Sequence, residues 1–427
     1  MGSYKFKYGN SELESYIDDN RIINILVPSK TTPLDDLRGE VHKVLDVPTG
    51  ALPLKDIIKP EEKVVIIVSD ITRLWIKTDL YLKYIIEYIN NIGVADNQIT
   101  IIIALGSHRP STEAEKESIV GDEVYKRIEV VDHDCFNQEE NGFVGHSAVG
   151  TPIYINKRVL EADRVILTGG IVFHLFAGFG GGAKSIVPGV AGIETIQHNH
   201  RLTFNKGEGT GLNPMASSNV IKGNPMREDI TDICRKIKPD FLVNAILDTE
   251  GNFLKLVAGD FEEAWLEGCE FIRSCYGVGI EEKADIIVAS AGGYPKDINL
   301  YQTVKTMDNC LYGGKVNSII VLMSECRDGL GAAEFMDWFQ YKTIEAMEMA
   351  LKRNFTVPGY AAYKTAYTGV NRRVVLVSSL PEEQVKELGF LPAKSLNEAM
   401  EVAYKLSPPN PKITLMPYGG TVLSFQS

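Results

Sequence analysis

Short runs of apolar, mostly β-branched residues recur along the chain, and they constrain its fold more than any other feature of the sequence. The runs are near-continuous instead of alternating with polar residues, which is typical of strands buried on both faces of a sheet. They predict strands at residues 63–69, 99–105, 128–132, 164–168, 240–247, 284–290, 316–324, 372–378 and 413–416.

Segments with helical periodicity separate most of these runs. In residues 78–92 the apolar side chains recur every three or four positions, and Gly93 follows the last one, as at many helix C-termini. Further helices are predicted at residues 193–200, 226–237, 261–275, 299–310, 341–353 and 396–406. Strands that alternate with helices predict parallel sheets covered by helices on both faces.

The length of 427 residues exceeds that of one ordinary domain. The segment YGVGIEEKAD, near residues 275–283, is typical of a short linker before a new strand. We therefore predict an α/β protein of two α/β domains with mostly parallel sheets and an active site in the cleft between them. The N-terminal domain is predicted to span residues 1–275 and the C-terminal domain residues 284–409.

Composition excludes several classes of function. A net charge of -12 disfavours a nucleic-acid partner, because such binding depends on clustered cations. No apolar run approaches the roughly 20 residues that span a bilayer, and the N-terminus has no apolar signal region, so we expect a cytoplasmic protein without a membrane partner. None of the six cysteines forms a C-x-x-C pair, which favours free thiols in a reducing compartment and disfavours a zinc site.

Polar residues follow several of the predicted strands. Asp70, Thr72 and Arg73 follow the first strand, His108 follows the second, and His174 lies beyond the fourth. Ligands of open α/β sheets bind beyond the carboxyl ends of the strands, so these residues are candidates for a site. Ordinary turn chemistry is the alternative explanation for any one of them.

Histidines are concentrated in one part of the chain, with six of the seven between residues 108 and 200. A lone histidine is more often a surface or core residue than a ligand. His198 and His200 are two residues apart near a predicted helix end, so their side chains point in different directions. At most one of them is therefore expected to bind a given metal ion.

The most unusual stretch is AGFGGGAKSIVPG, residues 177–189. Gly181 and Gly182 would let backbone N–H groups approach a ligand closely, and Lys184 follows. The stretch nearly matches the P-loop pattern of nucleotide hydrolases, but Ala183 replaces the last glycine and the stretch does not follow a strand directly. A flexible surface loop is the other alternative.

A second constellation lies in GGYPKDINLYQTVK, residues 292–305. A helix capped near Asn299 would place Tyr301 and Lys305 on one face, with Gln302 adjacent. Such a face could hold a carboxylate, and a solvated amphipathic helix is the alternative.

Taken together, these motifs resemble those of the nickel-dependent lactate racemase family, from about residue 5 to about residue 420. The similar segments are Asp70-Ile71-Thr72-Arg73, Gly106-x-His108, His174 with the loop through Lys184 to Gly189, Glu194-Thr195-Ile196-x-x-Asn199-His200, Gly223-Asn224-Pro225, Gly259-Asp260, Gly292-Gly293-Tyr294-Pro295-x-Asp297, Tyr301-Gln302-x-x-Lys305 and Asp328-Gly329-Leu330-Gly331.

The resemblance implies a racemase or epimerase that inverts C2 of a 2-hydroxy acid, and a cofactor installed by separate maturation enzymes. This cofactor is the nickel-pincer nucleotide (pyridinium-3-thioamide-5-thiocarboxylic acid mononucleotide), joined covalently to the lysine matched by Lys184. The roles implied for the matched residues are a Ni²⁺ ligand for His200, acid/base catalysis for His108 and His174, and substrate binding for Arg73, Gln302 and Lys305. Asp70, Thr72, Arg73, Gly181, Gly182 and Tyr301 are implied to line the cofactor.

The resemblance further implies that the tail, residues 410–427, folds back onto the first domain.

The chemistry of the implied reaction is consistent with the sequence. Removing hydride from C2 gives a planar 2-keto acid, and the hydride needs a cofactor as its acceptor. Two histidines suit the proton transfers to and from the hydroxyl group at neutral pH, and imidazole is a good ligand for nickel.

The sequence departs from the family pattern at four positions. Leu74 and Trp75 follow Arg73 where a proline is common, Phe173 replaces a proline, and Gly180 replaces a serine. None of these changes removes a proposed catalytic group, but Leu74 and Trp75 leave the identity of the 2-hydroxy acid open.

Two alternative functions use the same residues. One is a dehydrogenase or a metal-dependent lyase, although no G-x-G-x-x-G motif follows a predicted strand. The other is a protein that binds a 2-hydroxy acid without converting it, which would not need Lys184 or a pair of histidines.

Overall fold

A computed structural model describes residues 1–331 and 333–426 of the protein. The chain forms two compact units. Unit 1 comprises Met1–Lys30, Lys206–Gly211 and Arg273–Ser427, and unit 2 comprises Thr31–Asn205 and Leu212–Ile272.

The strands of the described residues are β1 (Gly2–Tyr8), β2 (Ser11–Ile17), β3 (Ile22–Ile25), β4 (Val64–Ser69), β5 (Ile99–Ala104), β6 (Glu129–Asp132), β7 (Asn141–His146), β8 (Pro152–Asn156), β9 (Arg164–Gly170), β10 (Phe173–His174), β11 (Gly178–Phe179), β12 (Phe241–Leu247), β13 (Phe253–Gly259), β14 (Gly277–Ile280), β15 (Ala284–Ser290), β16 (Gly314–Met323), β17 (Arg373–Val377), β18 (Leu391–Ala393), β19 (Ile413–Met416) and β20 (Leu423–Gln426).

The α-helices are α1 (Leu37–Asp46), α2 (Leu54–Ile57), α3 (Thr78–Ile92), α4 (Glu113–Val120), α5 (Asp122–Arg127), α6 (Lys157–Leu160), α7 (Ile193–Arg201), α8 (Pro225–Ile237), α9 (Glu263–Tyr276), α10 (Leu300–Gly313), α11 (Ala333–Met336), α12 (Ile344–Arg353), α13 (Val357–Asn371), α14 (Glu382–Glu387) and α15 (Leu396–Leu406). Short 3-10 segments lie at Asp19–Arg21, Ile71–Ile76, Asp96–Gln98, Gly182–Ser185 and Asp337–Gln340.

Unit 2 is built on a six-stranded sheet with the order β13-β12-β9-β4-β5-β6. All neighbouring strands in it are parallel except β13, which pairs antiparallel with β12. The first five residues of β4 are buried, as expected for a strand covered on both faces. α3 ends at Gly93, whose φ of +113° completes the helix end that the sequence predicts.

Unit 1 contains a second six-stranded sheet, which is entirely parallel and has the order β18-β17-β16-β15-β19-β3. Alternate side chains of β15 point to opposite faces of the sheet and pack in two separate hydrophobic cores. Ile287 packs in the same cluster as Val304 of α10, and Val288 packs in the same cluster as Ala399 of α15. Helices therefore cover both faces of this sheet, as in unit 2.

The predicted fold class, an α/β protein with mostly parallel sheets, is confirmed. Each predicted strand is present, and both of its ends lie within two residues of the predicted ends. Each predicted helix is also present, with both ends within three residues of the predicted ends.

The division into units differs from the predicted domains in three ways. The segment Lys206–Gly211, within the predicted N-terminal domain, belongs to unit 1. The first 30 residues lie in unit 1, because β3 supplies an edge strand that pairs with β19. The tail also lies in unit 1, where β20 pairs with β14. Both short strands have their backbone groups satisfied by partners that are remote in sequence, which local patterns do not reveal.

No helix in the described part of the chain is long and apolar enough to cross a bilayer. The six cysteines, Cys135, Cys234, Cys269, Cys275, Cys310 and Cys326, are all buried thiols.

Candidate active site

An acid/base pair lies at the carboxyl end of the unit 2 sheet. Asp70 directly follows β4, and His108 lies in the loop after β5. His108 Nδ1 donates a hydrogen bond of 2.5 Å to Asp70 Oδ2. The side chain of Asp70 is 5% exposed whereas that of His108 is 40% exposed. A buried carboxylate therefore fixes the ring of a histidine whose other edge reaches solvent, which is a common arrangement for a catalytic base.

The pKa of Asp70 is set by opposing effects. Burial raises the pKa of its carboxyl group, but the hydrogen bonds from His108 and Thr72 and the charges of His108 and Arg73 outweigh burial, so the net pKa is lowered. Thr72 Oγ1 donates 2.7 Å to Asp70 Oδ1 and accepts 2.9 Å from Arg73 Nη1. Asp70 is thus ionised at neutral pH, and the short chain of hydrogen bonds orients Arg73 beside it.

Three of the predicted site residues surround one aromatic ring, that of Phe176. The ring centroids of His174 and Phe176 are 4.4 Å apart, and those of Phe176 and His200 are 5.7 Å apart. Lys184 Nζ lies 5.7 Å from the centroid of the same ring. Phe176 is buried, so one fixed side chain determines the spacing of the two histidines and the lysine.

The amine of Lys184 lies in a positive, low-dielectric environment. Burial and the charges of Arg227 and Arg73 hold its pKa well below the usual range for lysine. Desolvation and nearby cations both disfavour the charged form of an amine. Lys184 is therefore suited to react as an unprotonated nucleophile.

His200 is held as a neutral imidazole. Burial and the charge of Lys184 lower the pKa of His200 to about 3. Its Nδ1 donates 2.9 Å to the carbonyl oxygen of Ile196, so in the neutral ring the lone pair is on Nε2. His198, two residues earlier, is exposed, and the prediction that the two rings point in different directions is confirmed.

The glycine-rich loop that carries Lys184 is held by side chains from three other elements. Arg227 of α8, which is almost fully buried, donates 2.9 Å from Nε to the carbonyl oxygen of Ala177, and its Nη2 donates to that of Phe179. Trp265 of α9 donates 2.8 Å from Nε1 to the carbonyl oxygen of Gly180.

The same loop is fixed at both ends. Asn224 Nδ2, before α8, donates 3.0 Å to the carbonyl oxygen of Phe176. Asn244 of β12 accepts 2.8 Å from the N–H of Gly182, and Ser185 Oγ donates 3.0 Å to the carbonyl oxygen of Thr168. The loop is therefore a rigid support for Lys184, which excludes the flexible-loop alternative.

The glycines of this loop are required by the protein's own packing. Gly181 and Gly182 have φ values of +66° and +60°. An added Cβ would lie 2.5 Å from Asn244 Oδ1 at Gly181 and 2.6 Å from Trp265 Cδ1 at Gly182. The N–H of Gly182, predicted to face a ligand, donates instead to Asn244. Lys184 lies in a 3-10 turn rather than at the start of a helix that follows a strand, which argues against a P-loop.

Two observations connect the Asp70–His108 pair with the Lys184 loop. The N–H of Gly106, two residues before His108, donates 3.0 Å to the carbonyl oxygen of Gly189. Arg73 also contributes to the lowered pKa of Lys184. The predicted unit 2 residues therefore form one cluster at the carboxyl edge of the sheet.

The remaining predicted residues lie in unit 1, in the first turns of α10. Asn299 Oδ1 caps this helix by accepting 3.0 Å from the N–H of Gln302. Gln302 and Lys305 are exposed, whereas Tyr301 is half-buried against Phe335, with ring centroids 5.6 Å apart. The exposed polar face is thus formed by Gln302 and Lys305, while Tyr301 contributes to packing.

The residues that depart from the family pattern lie next to the site. Leu74 and Trp75 are each 43% exposed in the 3-10 segment that also contains Arg73. Phe173 packs against Phe179, with ring centroids 5.2 Å apart, in the short hairpin of β10 and β11. The carbonyl oxygen of Gly180 accepts the hydrogen bond from Trp265 Nε1.

Sequence reasoning missed Arg227, Phe176 and Trp265. Arg227 resembles the exposed basic residues around it in α8, and nothing in the local pattern signals that it is buried. Its position two residues after the Gly223-Asn224-Pro225 motif was the available signal. His133, which directly follows β6, is a buried structural residue held by the Ala191 carbonyl oxygen and Asn156.

The donors present fit the cofactor that the resemblance implies. Attachment requires an unprotonated amine, supplied by Lys184, and nickel requires a neutral imidazole, supplied by His200. The positive charges of Arg73 and Arg227 suit a phosphate group. No group of three or more His, Cys, Asp or Glu side chains in the described residues could hold a metal ion. The resemblance implies His200 as the nickel ligand within this cluster.

Comparisons with known proteins show the family to which the chain belongs. A family model described as the lactate racemase N-terminal domain matches residues 8–211, and one described as the lactate racemase C-terminal domain matches residues 280–424. The lactate racemase of Thermoanaerobacterium thermosaccharolyticum is 33% identical over 431 residues, covering 99% of each chain. That of Lactiplantibacillus plantarum is 31% identical, covering 98% of this chain and 99% of the relative.

Solved structures extend the comparison to the fold. The lactate racemase apoprotein from T. thermosaccharolyticum superposes with a TM-score of 0.89 at 32% identity, over 99% of this chain and all of the other. A Thermotoga maritima protein, with a TM-score of 0.62 and 18% identity over 94% of this chain, shares the fold. Over almost its whole length, this chain is therefore a member of the lactate racemase family and an isomerase.

Proposed function

We propose that this protein interconverts the enantiomers of a small 2-hydroxy acid, lactate or a close relative, using a nickel-pincer nucleotide attached to Lys184. The observation that carries the proposal is the arrangement of His174, His200 and Lys184 around the ring of Phe176. The two curated relatives are both named lactate racemase, which supports lactate as the first substrate to test.

When bound, the cofactor supplies an acceptor for hydride from C2 of the substrate and a donor that returns hydride to either face. The protein then has to manage the hydroxyl proton and the substrate carboxylate. It also has to hold one nickel ligand, the neutral imidazole of His200, in a fixed orientation, which the hydrogen bond to Ile196 provides.

His108 takes the hydroxyl proton of one enantiomer. Its Nδ1 proton is held by Asp70, so Nε2 carries the lone pair of the neutral ring. The ionised carboxylate of Asp70 stabilises the imidazolium that forms, as a buried carboxylate does in a catalytic triad.

His174 plays the corresponding role for the other enantiomer. Its Nδ1 lies 3.4 Å from the N–H of Ala177, a long contact that constrains the ring weakly. The edge contact with Phe176 also orients the ring. A proton taken by one histidine is balanced by a proton given by the other, so the net reaction leaves the hydroxy acid inverted.

Arg73, Gln302 and Lys305 bind the substrate carboxylate in this proposal. Arg73 is oriented by Thr72, and Gln302 and Lys305 are three residues apart on the exposed side of α10. A guanidinium, an amide and an ammonium group are all suitable donors to a carboxylate.

The cofactor requires maturation enzymes, which we propose as the partners of this protein, and we propose the cytoplasm as its compartment. The buried thiols support a reducing environment.

The first test is the intact mass of the full-length protein after co-expression with a pincer-cofactor maturation system and nickel. We expect an added mass of several hundred daltons, about that of a nucleotide, mapping to the peptide that contains Lys184. Lys184→Ala should lack the adduct, whereas Lys222→Ala, which changes an exposed lysine of the same unit, should keep it. Unmodified Lys184 in folded, nickel-grown protein would contradict the tethered cofactor.

The second test follows the hydrogen on C2. Racemisation of C2-protio lactate in D₂O should give product that retains protium, because hydride transfer does not exchange with solvent. Deuterium at C2 of the product would show instead that the hydrogen leaves as a proton, and it would overturn the hydride mechanism while leaving the racemase activity intact.

A further inference from the structure

The parallel sheet of unit 1 has a topological switch point between β15 and β19. The chain leaves β15 through α10, which packs in one core of the unit, and enters β19 from α15, which packs in the other. Because the two connections lie on opposite faces, a crevice is expected beyond the carboxyl ends of these strands, and ligands of open α/β sheets bind in such crevices. The residues assigned above to substrate and cofactor do not include the loops at this point.

Two glycine-containing loops meet there, with unused backbone donors. Gly292 and Gly293 follow β15, with φ values of +107° and +73°, and Gly419 and Gly420 follow β19. The Gly419 N–H donates to Ser290, at the end of β15. Among the described residues, no hydrogen-bond acceptor is recorded for the N–H groups of Gly293 and Gly420. Backbone N–H groups in turns of this kind form anion-binding concavities.

Two exposed lysines lie along the same loops. Lys7 lies beside Gly293, because a Cβ added at Gly293 would be 3.1 Å from Lys7 Cβ. Lys296 lies beside Gly292, because a Cβ added at Gly292 would be 3.1 Å from Lys296 Cδ. Lys296 Nζ also lies 3.5 Å from Thr421 Oγ1. Burial and the charge of Lys7 lower the pKa of Lys296.

Neither lysine forms an ion pair with any described residue. Two carboxylates of the neighbouring loops are engaged elsewhere: Asp297 Oδ2 accepts from the N–H groups of Gly9 and Glu325, and the Glu325 side chain pairs with Arg327. Glu12 lies opposite Lys7 in the β1–β2 hairpin. Lys7 and Lys296 are close enough for their charges to repel each other, and a bound anion would reduce this repulsion.

We propose that Lys7, Lys296, Thr421 and the N–H groups of Gly293 and Gly420 form a binding site for a phosphate group. Two lysine charges match a phosphate dianion better than a carboxylate monoanion, and the three further donors match its oxygens. The phosphate is either free inorganic phosphate or the head group of a phosphorylated metabolite. The site is independent of the proposed racemase reaction.

The test is calorimetric titration of the full-length protein with inorganic phosphate and, separately, with methyl phosphate, at low ionic strength. We expect saturable phosphate binding at a site whose affinity falls about tenfold in Lys296→Ala and in Lys7→Ala. Tighter binding of methyl phosphate would identify a phosphate ester as the natural ligand, and equal or weaker binding would identify free phosphate.

The matched control is Lys315→Ala, which removes the same charge from the same unit. Lys315 Nζ pairs with Asp285 at 2.8 Å, at the start of β15, so its loss should leave phosphate affinity unchanged. Absence of saturable binding to the folded protein would overturn the proposal. Equal affinities for wild type and the double variant Lys7→Ala/Lys296→Ala, or an equal loss in Lys315→Ala, would also overturn it.

Discussion

Replacing Arg227 with methionine should destabilise unit 2 far more than any surface charge does. Arg227 makes two hydrogen bonds to carbonyl oxygens of the glycine-rich loop, and its guanidinium carbon lies 4.5 Å from the centroid of the Trp265 ring. Each charged hydrogen bond contributes about 1.5–3 kcal/mol, and the cation–π contact about 1 kcal/mol. Methionine fills part of the volume and removes a buried charge, which offsets about 1 kcal/mol. The expected net loss is about 3–6 kcal/mol.

The assay is calorimetric melting of the full-length protein without cofactor. A loss of this size lowers the melting temperature of a unit of about 230 residues by roughly 10–20 °C. The matched control is Arg235→Met in the same helix, because Arg235 is exposed and pairs with Glu262. Such surface pairs contribute less than about 1 kcal/mol, so this variant should melt within roughly 3 °C of wild type.

A second measurement separates the role of Arg227 at the site from its role in stability. Because the charge of Arg227 lowers the pKa of Lys184, its removal should raise that pKa and slow acylation of Lys184 at mildly alkaline pH. Equal melting temperatures for the two methionine variants would refute the assignment of Arg227 as the support of the loop. Unchanged acylation in a folded Arg227→Met variant would refute the electrostatic coupling.

Three further predictions follow from the same contacts. Asp70→Asn, in protein with a normal adduct mass, should lower kcat about 10²–10⁴-fold with little change in KM, because the amide cannot stabilise protonated His108; an unchanged kcat would contradict the pairing. The pKa of His200 is about 3 in the folded protein and about 6.5 in the unfolded chain. Between about pH 3 and about pH 6.5 the unfolded chain therefore binds one more proton than the folded protein, and the free energy of unfolding rises with pH across this range. His200→Gln should remove up to about 5 kcal/mol of that rise, which urea midpoints across this range would measure, and parallel curves for the two proteins would contradict it. Gly182→Ala should cost about 2 kcal/mol more than Gly150→Ala in urea unfolding, because both have positive φ but an added Cβ has no neighbour within 4 Å at Gly150.

The central strands were predictable because burial on both faces leaves a continuous apolar run, as in β4 and β15. The hairpin of β1 and β2 was missed because its residues are mostly polar and exposed. Helix α13 was missed for the opposite reason. It is buried around most of its circumference, including Tyr360, Ala362 and Thr365, so it has no polar face to give a helical period.

The candidate site divides in the same way. His108, His174, Lys184 and His200 could be predicted as site residues because reactive residue types in motifs stand out in a sequence. Arg227 did not, because Arg227 and Arg235 belong to the same amphipathic helix and only packing makes one buried and the other exposed. The requirement for Gly182 was predicted, but its reason, the closeness of Trp265, depends on a contact between residues more than 80 positions apart.

The pairing of β3 with β19 has a consequence for biosynthesis. A ribosome releases the chain from its N-terminus, so β3 emerges early and has no partner strand until β19 is made. All the strands of the unit 2 sheet and all the side chains that hold the Lys184 loop precede β19 in the chain. Unit 2 can therefore fold and fix the Lys184 loop during synthesis, before β3 in the first 30 residues can pair with β19. The order of synthesis thus allows the support for the cofactor to form before the sheet of unit 1 is closed.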